Sequence, residues 1–150
     1  MFTRRYQRVI REGVLMQFFA NTDELHEVMK ELWARIGRDP DMSEKLLQSK
    51  LIVQFQYREP EGRVTVDCSD GKEMKVLTGK QSLKPVVEMS MKADVAHEFW
   101  LGKVNVPFAI VSGKIMARGP VAKALQLLPV IKPAFDIYPN VISQHKKVMA

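Results

Sequence analysis

The sequence predicts an α/β (α+β) domain, a sheet faced by amphipathic helices, and three patterns carry that expectation. Apolar residues recur at helical spacing over residues 25–36 and switch to strict alternation at residue 51. Alternating runs then follow one another across the turn signals Pro60, Gly62 and Asp70-Gly71. From residue 85 to 128 the chain reads strand, helix, glycine, short apolar helix, glycine, strand, Gly119-Pro120 and helix. This last stretch carries its weight on large flexible hydrophobes rather than on acids, bases or nucleophiles. It suggests a place that holds something greasy.

Taken in order, residues 2–20 read as a helix. Phe2, Tyr6, Val9, Ile10 and Val14 lie at helical spacing, with Arg4, Arg5, Arg8 and Arg11 on the remaining face. A basic amphipathic helix can touch an anionic membrane surface transiently, or pack on its own domain or a second subunit as in a homodimer. Asn21 with Glu24 three residues on forms a capping box. Leu25, Val28, Met29, Leu32, Trp33 and Ile36 make one stripe, and Gly37 is expected to end that helix. Asp39-Pro40 opens a shorter helix with Met42, Leu46 and Leu47. Leu51, Val53, Phe55 and Tyr57 alternate as a strand, as do Val64, Val66 and Cys68. Asp70-Gly71 signals a two-residue hairpin into residues 73–77, completing an antiparallel meander with one greasy face.

Val87, Met89 and Met91 form a fourth alternating strand. Asp94 suits the start of a helix burying Ala96, Phe99 and Trp100, stopped by Gly102. Val106 to Val111 is a short helix apolar all round, which must be buried or touch lipid. Ile115 and Ala117 make a fifth strand, and Ala122, Leu125 and Leu128 an amphipathic helix. The tail, broken by Pro129, Pro133 and Pro139, reads as kinked helix ending in a solvated Gln144-His145-Lys146-Lys147, placed to cover a cavity mouth.

Composition narrows the function classes. With 150 residues, 46% hydrophobic and 27% charged, the chain fits one soluble globular domain. Its apolar runs fall far short of the ~20 residues a membrane helix needs. No signal peptide is expected, and Val148-Met149-Ala150 is no peroxisomal address. The lone Cys68 excludes an internal disulfide and fits a cytoplasmic location. Net charge is +6; residues 1–75 hold 13 basic and 13 acidic side chains, residues 76–150 hold 10 and 4, so the whole excess lies in the second half. His26, His97 and His145 are scattered, His97-Glu98 meets Leu101 where a zinc motif needs histidine, and no metal site is expected. Cys68 reads as a core thiol, and no glycine-rich phosphate loop or nucleophile elbow occurs, so neither catalytic residues nor a cofactor are expected. The lysines of the second half spread over several elements without a nucleic-acid module, so no nucleic-acid partner is expected. Met74, Met89 and Met91 offer an adaptable lining for a hydrophobic ligand, although methionine at strand spacing also serves as plain core.

The helix ADVAHEFWL followed by GKVNVPFAIVSGKIMARGPVAKALQLL resembles the signature of the sterol carrier protein type 2 family, the non-specific lipid-transfer domain. Its landmarks are Gly102-Lys103, Gly113-Lys114, Gly119 and the leucine-bearing helix; the likeness is tight over residues 85–130 and looser back to about residue 22. The resemblance implies a twisted, five-stranded, mostly antiparallel sheet covered on one face by helices, enclosing a hydrophobic tunnel. It implies non-catalytic binding and transfer of a fatty acid, fatty acyl-CoA, sterol-like molecule or phospholipid.

Mapped onto this chain, the lining falls on Met89, Met91, Phe99, Trp100, Val106, Phe108, Ile110, Ile115 and Leu125, with Leu32 and Trp33 added from the second helix and Phe135 and Tyr138 as a lid. With that placement, Phe108→Asp is expected to abolish binding of a fluorescent fatty acid. The domain plan is an N-terminal basic helix over 1–21, the carrier-like domain over 22–130 and a C-terminal helical segment over 131–150. Two alternatives stay open: an oligomerisation or protein-interaction module with a filled cavity, and an accessory protein presenting a lipid or acyl intermediate to a partner enzyme.

Overall fold

The computed structural model describes residues 17–149. Nearly all of the expected N-terminal helix over residues 2–20 lies outside that range. The part that is described, residues 17–20, is bent chain rather than helix.

Helix α1 (Thr22–Arg38) starts where the capping residues place it. Asn21 Oδ1 accepts the Glu24 amide at 2.9 Å. The Glu24 carboxylate reaches back to the amide of Ala20, 3.1 Å away, one residue before the cap. The stripe from Leu25 to Ile36 is buried throughout. Gly37 does not end the helix; it lies in the last turn, where a Cβ would meet Met74 Cε at 2.8 Å. Asp39 serves two helices. Its amide donates to Ile36 O at 3.1 Å, closing α1. Its carboxylate accepts the Met42 amide at 3.0 Å, opening α2 (Pro40–Ser49).

Five strands follow: β1 (Ile52–Arg58), β2 (Gly62–Asp67), β3 (Lys75–Thr78), β4 (Val87–Lys92) and β5 (Met116–Arg118), in the spatial order β3-β2-β1-β4-β5. Three pairs are antiparallel; β1 and β4, at the centre, run parallel. The sheet is therefore mostly antiparallel, as expected. The turn between β2 and β3 differs from the expected two-residue hairpin. Asp67 pairs with Lys75, so residues 68–74 form the connection. Cys68 leaves the β2–β3 ladder to donate its amide to Leu51 O at 2.9 Å. Asp70 takes the amides of Lys72 and Glu73 at 2.8 and 2.9 Å, folding the loop on itself.

Between β4 and β5 come α3 (Ala93–Trp100) and the one-turn α4 (Val106–Val111). Asp94 ties down the incoming chain by accepting the Phe18 amide at 2.9 Å. After β5 come the short α5 (Val121–Leu125) and α6 (Leu128–Ile131), then α7 (Ala134–Met149). The tail is thus less broken than its prolines suggested: Pro133 precedes α7 and Pro139 is carried inside it. Helix α7 packs across α1. Arg35 fastens the two, donating to Asn140 Oδ1 at 2.7 Å and Gln144 Oε1 at 2.5 Å.

Val53, Phe55 and Tyr57 share one sheet face with Val64, Val66, Met89 and Met91, and the helices lie against that face. The opposite face carries a row of polar side chains. Gln54 donates to Thr65 Oγ1 at 3.2 Å, and Gln56 to both Gln54 Oε1 at 3.1 Å and Glu88 Oε1 at 3.3 Å.

Two residues are set by geometry that other side chains cannot match. At Gly119 φ is +92°, and a Cβ would sit 2.1 Å from Val86 O, a backbone atom at the start of β4. Gly119→Ala is expected to destabilise the chain by about 2 to 3 kcal/mol, read as a lowered urea midpoint. His26 Nε2 accepts the Arg63 amide at 3.0 Å, which requires a neutral ring. Burial lowers its pKa, partly offset by Asp23. The unfolded chain therefore binds the extra proton first. Stability from this bond is complete above the ordinary histidine pKa and is lost as pH falls through the lowered one. The melting temperature should drop between about pH 8 and about pH 5, and His26→Gln should flatten that slope.

Candidate functional site: an apolar cavity between sheet and helices

The helices do not seal against the sheet. Between them lies a cavity of about 90 Å³, and with its open mouth the atom-free space reaches about 840 Å³. The floor is built by register. Phe55 pairs with Met89 and Tyr57 with Met91 across the parallel ladder, while Val53 pairs with Val66 across the antiparallel one. Side chains two apart share a face, so these residues form one continuous apolar surface, extended by Cys68.

The walls come from the helices. Trp33 on α1 reaches in beside Leu46 and Ser49 of α2, with Leu51 just beyond. Ala96, Phe99 and Trp100 come from α3, Val106 from α4, and Ile115 from the chain before β5. Ala124, Leu125, Leu127, Leu128 and Ile131 close the far side. Aromatic packing braces the helical walls. Trp33 stacks on Phe55 at 5.9 Å and meets Trp100 edge-on at 5.5 Å, and Trp100 meets Phe99 at 4.9 Å.

Among the described residues, no carboxylate, amine or guanidinium stands on the wall. The Ser49 hydroxyl is spent on the backbone, donating to Leu46 O at 2.6 Å and accepting the Leu51 amide at 3.2 Å. Burial pushes the Cys68 thiol up to about 11, with Asp67 and Asp70 adding to the effect, so it stays an unreactive thiol. Burial also raises the Tyr57 phenol well above its ordinary value. The buried indole N–H of Trp33 has no hydrogen-bond partner among the described residues. Such a wall can remove apolar surface from water, and it has no group poised for general acid, base or nucleophilic work.

Of the residues expected at the site, the structure brings Trp33, Met89, Met91, Phe99, Trp100, Val106, Ile115 and Leu125 to the wall. Five fall elsewhere. Leu32, one step round α1 from Trp33, is fully buried in the core. Phe108 points outward at 68% exposure, because Val106 and Ala109 take the inner face of α4. Ile110 is half-buried against the core, off the wall. Phe135 packs behind α3 on Phe99 at 5.5 Å, and Tyr138 is fully buried with its hydroxyl 2.8 Å from His97 Nδ1. The expected lid pair is therefore packing between α3 and α7. Sequence reasoning did not assign the β1 and β2 side chains to the wall, although their alternation already marked a greasy face, nor Leu46 and Leu51, which it read only as apolar positions of a helix and a strand, nor Ser49, which no periodic signal singled out.

Among the described residues, no helix is long and apolar enough to cross a membrane, and no three His, Cys, Asp or Glu side chains converge as a metal site.

No curated protein matches the chain by sequence. Among solved structures, sterol carrier protein 2 from Yarrowia lipolytica in its apo form aligns with TM-score 0.58 at 16% identity, covering 75% of this chain and 91% of that one. Sterol carrier protein domain 2 of Helicoverpa armigera aligns with TM-score 0.58 at 23% identity, covering 72% and 85%. Palmitated SCP2L2 from Aedes aegypti aligns with TM-score 0.53 at 20% identity, covering 71% and 92%. These likenesses establish the fold. The sequence profile of the SCP-2 sterol transfer family matches residues 29–132. Every described residue of the cavity wall, from Trp33 to Ile131, falls inside that span, and the chain belongs to the SCP-2 sterol transfer family.

Proposed function

We propose that this protein binds an extended hydrophobic ligand in the cavity and transfers it without chemical change. A fatty acid, the acyl chain of a fatty acyl-CoA or phospholipid, or a sterol-like molecule all suit the reading. The carrying observation is the wall itself: large apolar side chains from sheet and helices, with no charged group among the described residues. A charged head group left in such surroundings would lose its hydration with nothing to replace it, so the head stays at the mouth and the tail enters. Burial of a tail gains about 0.8 kcal/mol per methylene, enough over a long chain to exceed association costs of several kcal/mol. The palmitated state of the Aedes aegypti protein supports an acyl ligand for this fold. We further propose a cytoplasmic setting, which the single buried cysteine supports.

Mass spectrometry of an organic extract of the purified protein should reveal co-purifying lipid, and fluorescence of cis-parinaric acid should rise on binding. Val66→Phe places a larger ring on the floor, with empty space to receive it. Excluding about two methylenes of ligand should weaken cis-parinaric acid about tenfold while the protein stays folded. Phe108→Asp, off the wall, should leave that affinity unchanged. Undiminished binding by a folded Val66→Phe protein would sink the assignment of the cavity.

A further inference from the structure

Among the described residues, four large hydrophobic side chains stand in solvent: Val86 at 43%, Phe108 at 68%, Val111 at 85% and Met116 at 60% exposure. Three of them fall in one segment with an asymmetric charge pattern. Between Glu98 and Asp136 the chain has no acidic residue, while Lys103, Lys114, Arg118, Lys123 and Lys132 are all exposed. None of these five cations is in an ion pair with a described residue.

The same segment is wall on its inner side, through Val106, Ile115, Leu125 and Leu128. Helix α4 divides the two roles within a single turn. Val106 and Ala109 face inward; Phe108 and Val111, three apart, face outward together. The orientation is fixed by Asn105, whose side chain accepts the Phe108 amide at 3.0 Å. A helix is about 10 Å thick with its side chains, so a surface that receives Phe108 and Val111 lies about that far from the cavity wall.

We propose that the outer face of α4 is a docking surface for an anionic bilayer, an inference that rests on the lipid-carrier reading above. Phe108 and Val111 enter the boundary between head groups and acyl chains, and the cations of the segment face lipid phosphates and carboxylates. A second copy of this chain fits the face poorly. A two-fold contact would bring the segment's five cations against their own copies, and Glu88, opposite Arg118 in the β4–β5 ladder, is too little acid to offset them. A fluid anionic surface supplies the opposite charge and needs no complementary groove.

The test uses the full chain and vesicles of phosphatidylcholine, alone or mixed with phosphatidylglycerol, in a flotation assay. Wild type should float with the mixed vesicles, less at high salt, and poorly with phosphatidylcholine alone. The double variant Phe108→Ser, Val111→Ser should lose vesicle affinity about tenfold or more while binding cis-parinaric acid in solution as wild type does. Lys103→Glu with Lys114→Glu should remove the preference for the mixed vesicles.

Three results would overturn the proposal: no wild-type binding to mixed vesicles at low salt, unchanged flotation of the serine variant, or a wild-type dimer made monomeric by that variant with flotation intact. Unchanged flotation would move docking elsewhere, for example to Arg4, Arg5, Arg8 and Arg11. If instead wild type floats but takes up no cis-parinaric acid or extractable lipid, the docking surface stands and the carrier reading falls.

Discussion

The parallel pairing of β4 with β1 decides what the rest of the structure can be. Because Phe55 faces Met89 and Tyr57 faces Met91, two strands distant in sequence present their large apolar side chains to the same side. Alternation has a period of two, so a slip of one residue would turn Glu88 and Ser90 inward and both methionines outward. The hairpin of β1 with β2 then adds Val64 and Val66 to the same face, and β5 adds Ala117 opposite Met89. Everything the helices meet is fixed by that one ladder.

The helices, in turn, are tied to one another by polar as well as apolar contacts. Asp39 joins α1 to α2, Arg35 joins α1 to α7, and His97 with Tyr138 joins α3 to α7. Trp33, Trp100 and Phe99 pack ring against ring along the wall, with Phe135 behind them. A frame braced in this way tolerates unfilled space that a loosely packed core would collapse to fill, and collapse is what usually limits cavity size. The indole N–H of Trp33, buried without a partner among the described residues, is a polar cost retained inside this frame.

Much of this was legible in the residues. The capping pair Asn21 and Glu24, the helix start at Asp39-Pro40, the alternation of strands and the helix stop at Gly102 are local signals with local causes, and they landed where such signals place them. Position within the domain was harder to read. Phe108 and Val106 are equally apolar, and only the side of α4 that meets the sheet separates wall from surface. Leu32 and Trp33 are neighbours on one stripe, and a rotation of about 100° divides core from cavity. The C-terminal prolines suggested a broken segment because proline disrupts a helix in isolation. In the folded chain the buried Tyr138, Val141 and Ile142 hold α7 together around Pro139. Asp70-Gly71 carries a hairpin's residues but sits in a longer loop, because Cys68 is drawn toward Leu51 before the turn begins.

The satisfied hydroxyl of Ser49 and the neutral thiol of Cys68 have a consequence for selectivity. With both withdrawn and no ionic group beside them among the described residues, the interior measures a guest by length, girth and curvature and is blind to what terminates it. Two molecules with the same tail and opposite head charge are, to this wall, one molecule. Any preference between them has to be exercised at the rim or by the surface from which the guest arrives, so such a protein behaves as a gauge of shape whose chemical taste is set from outside.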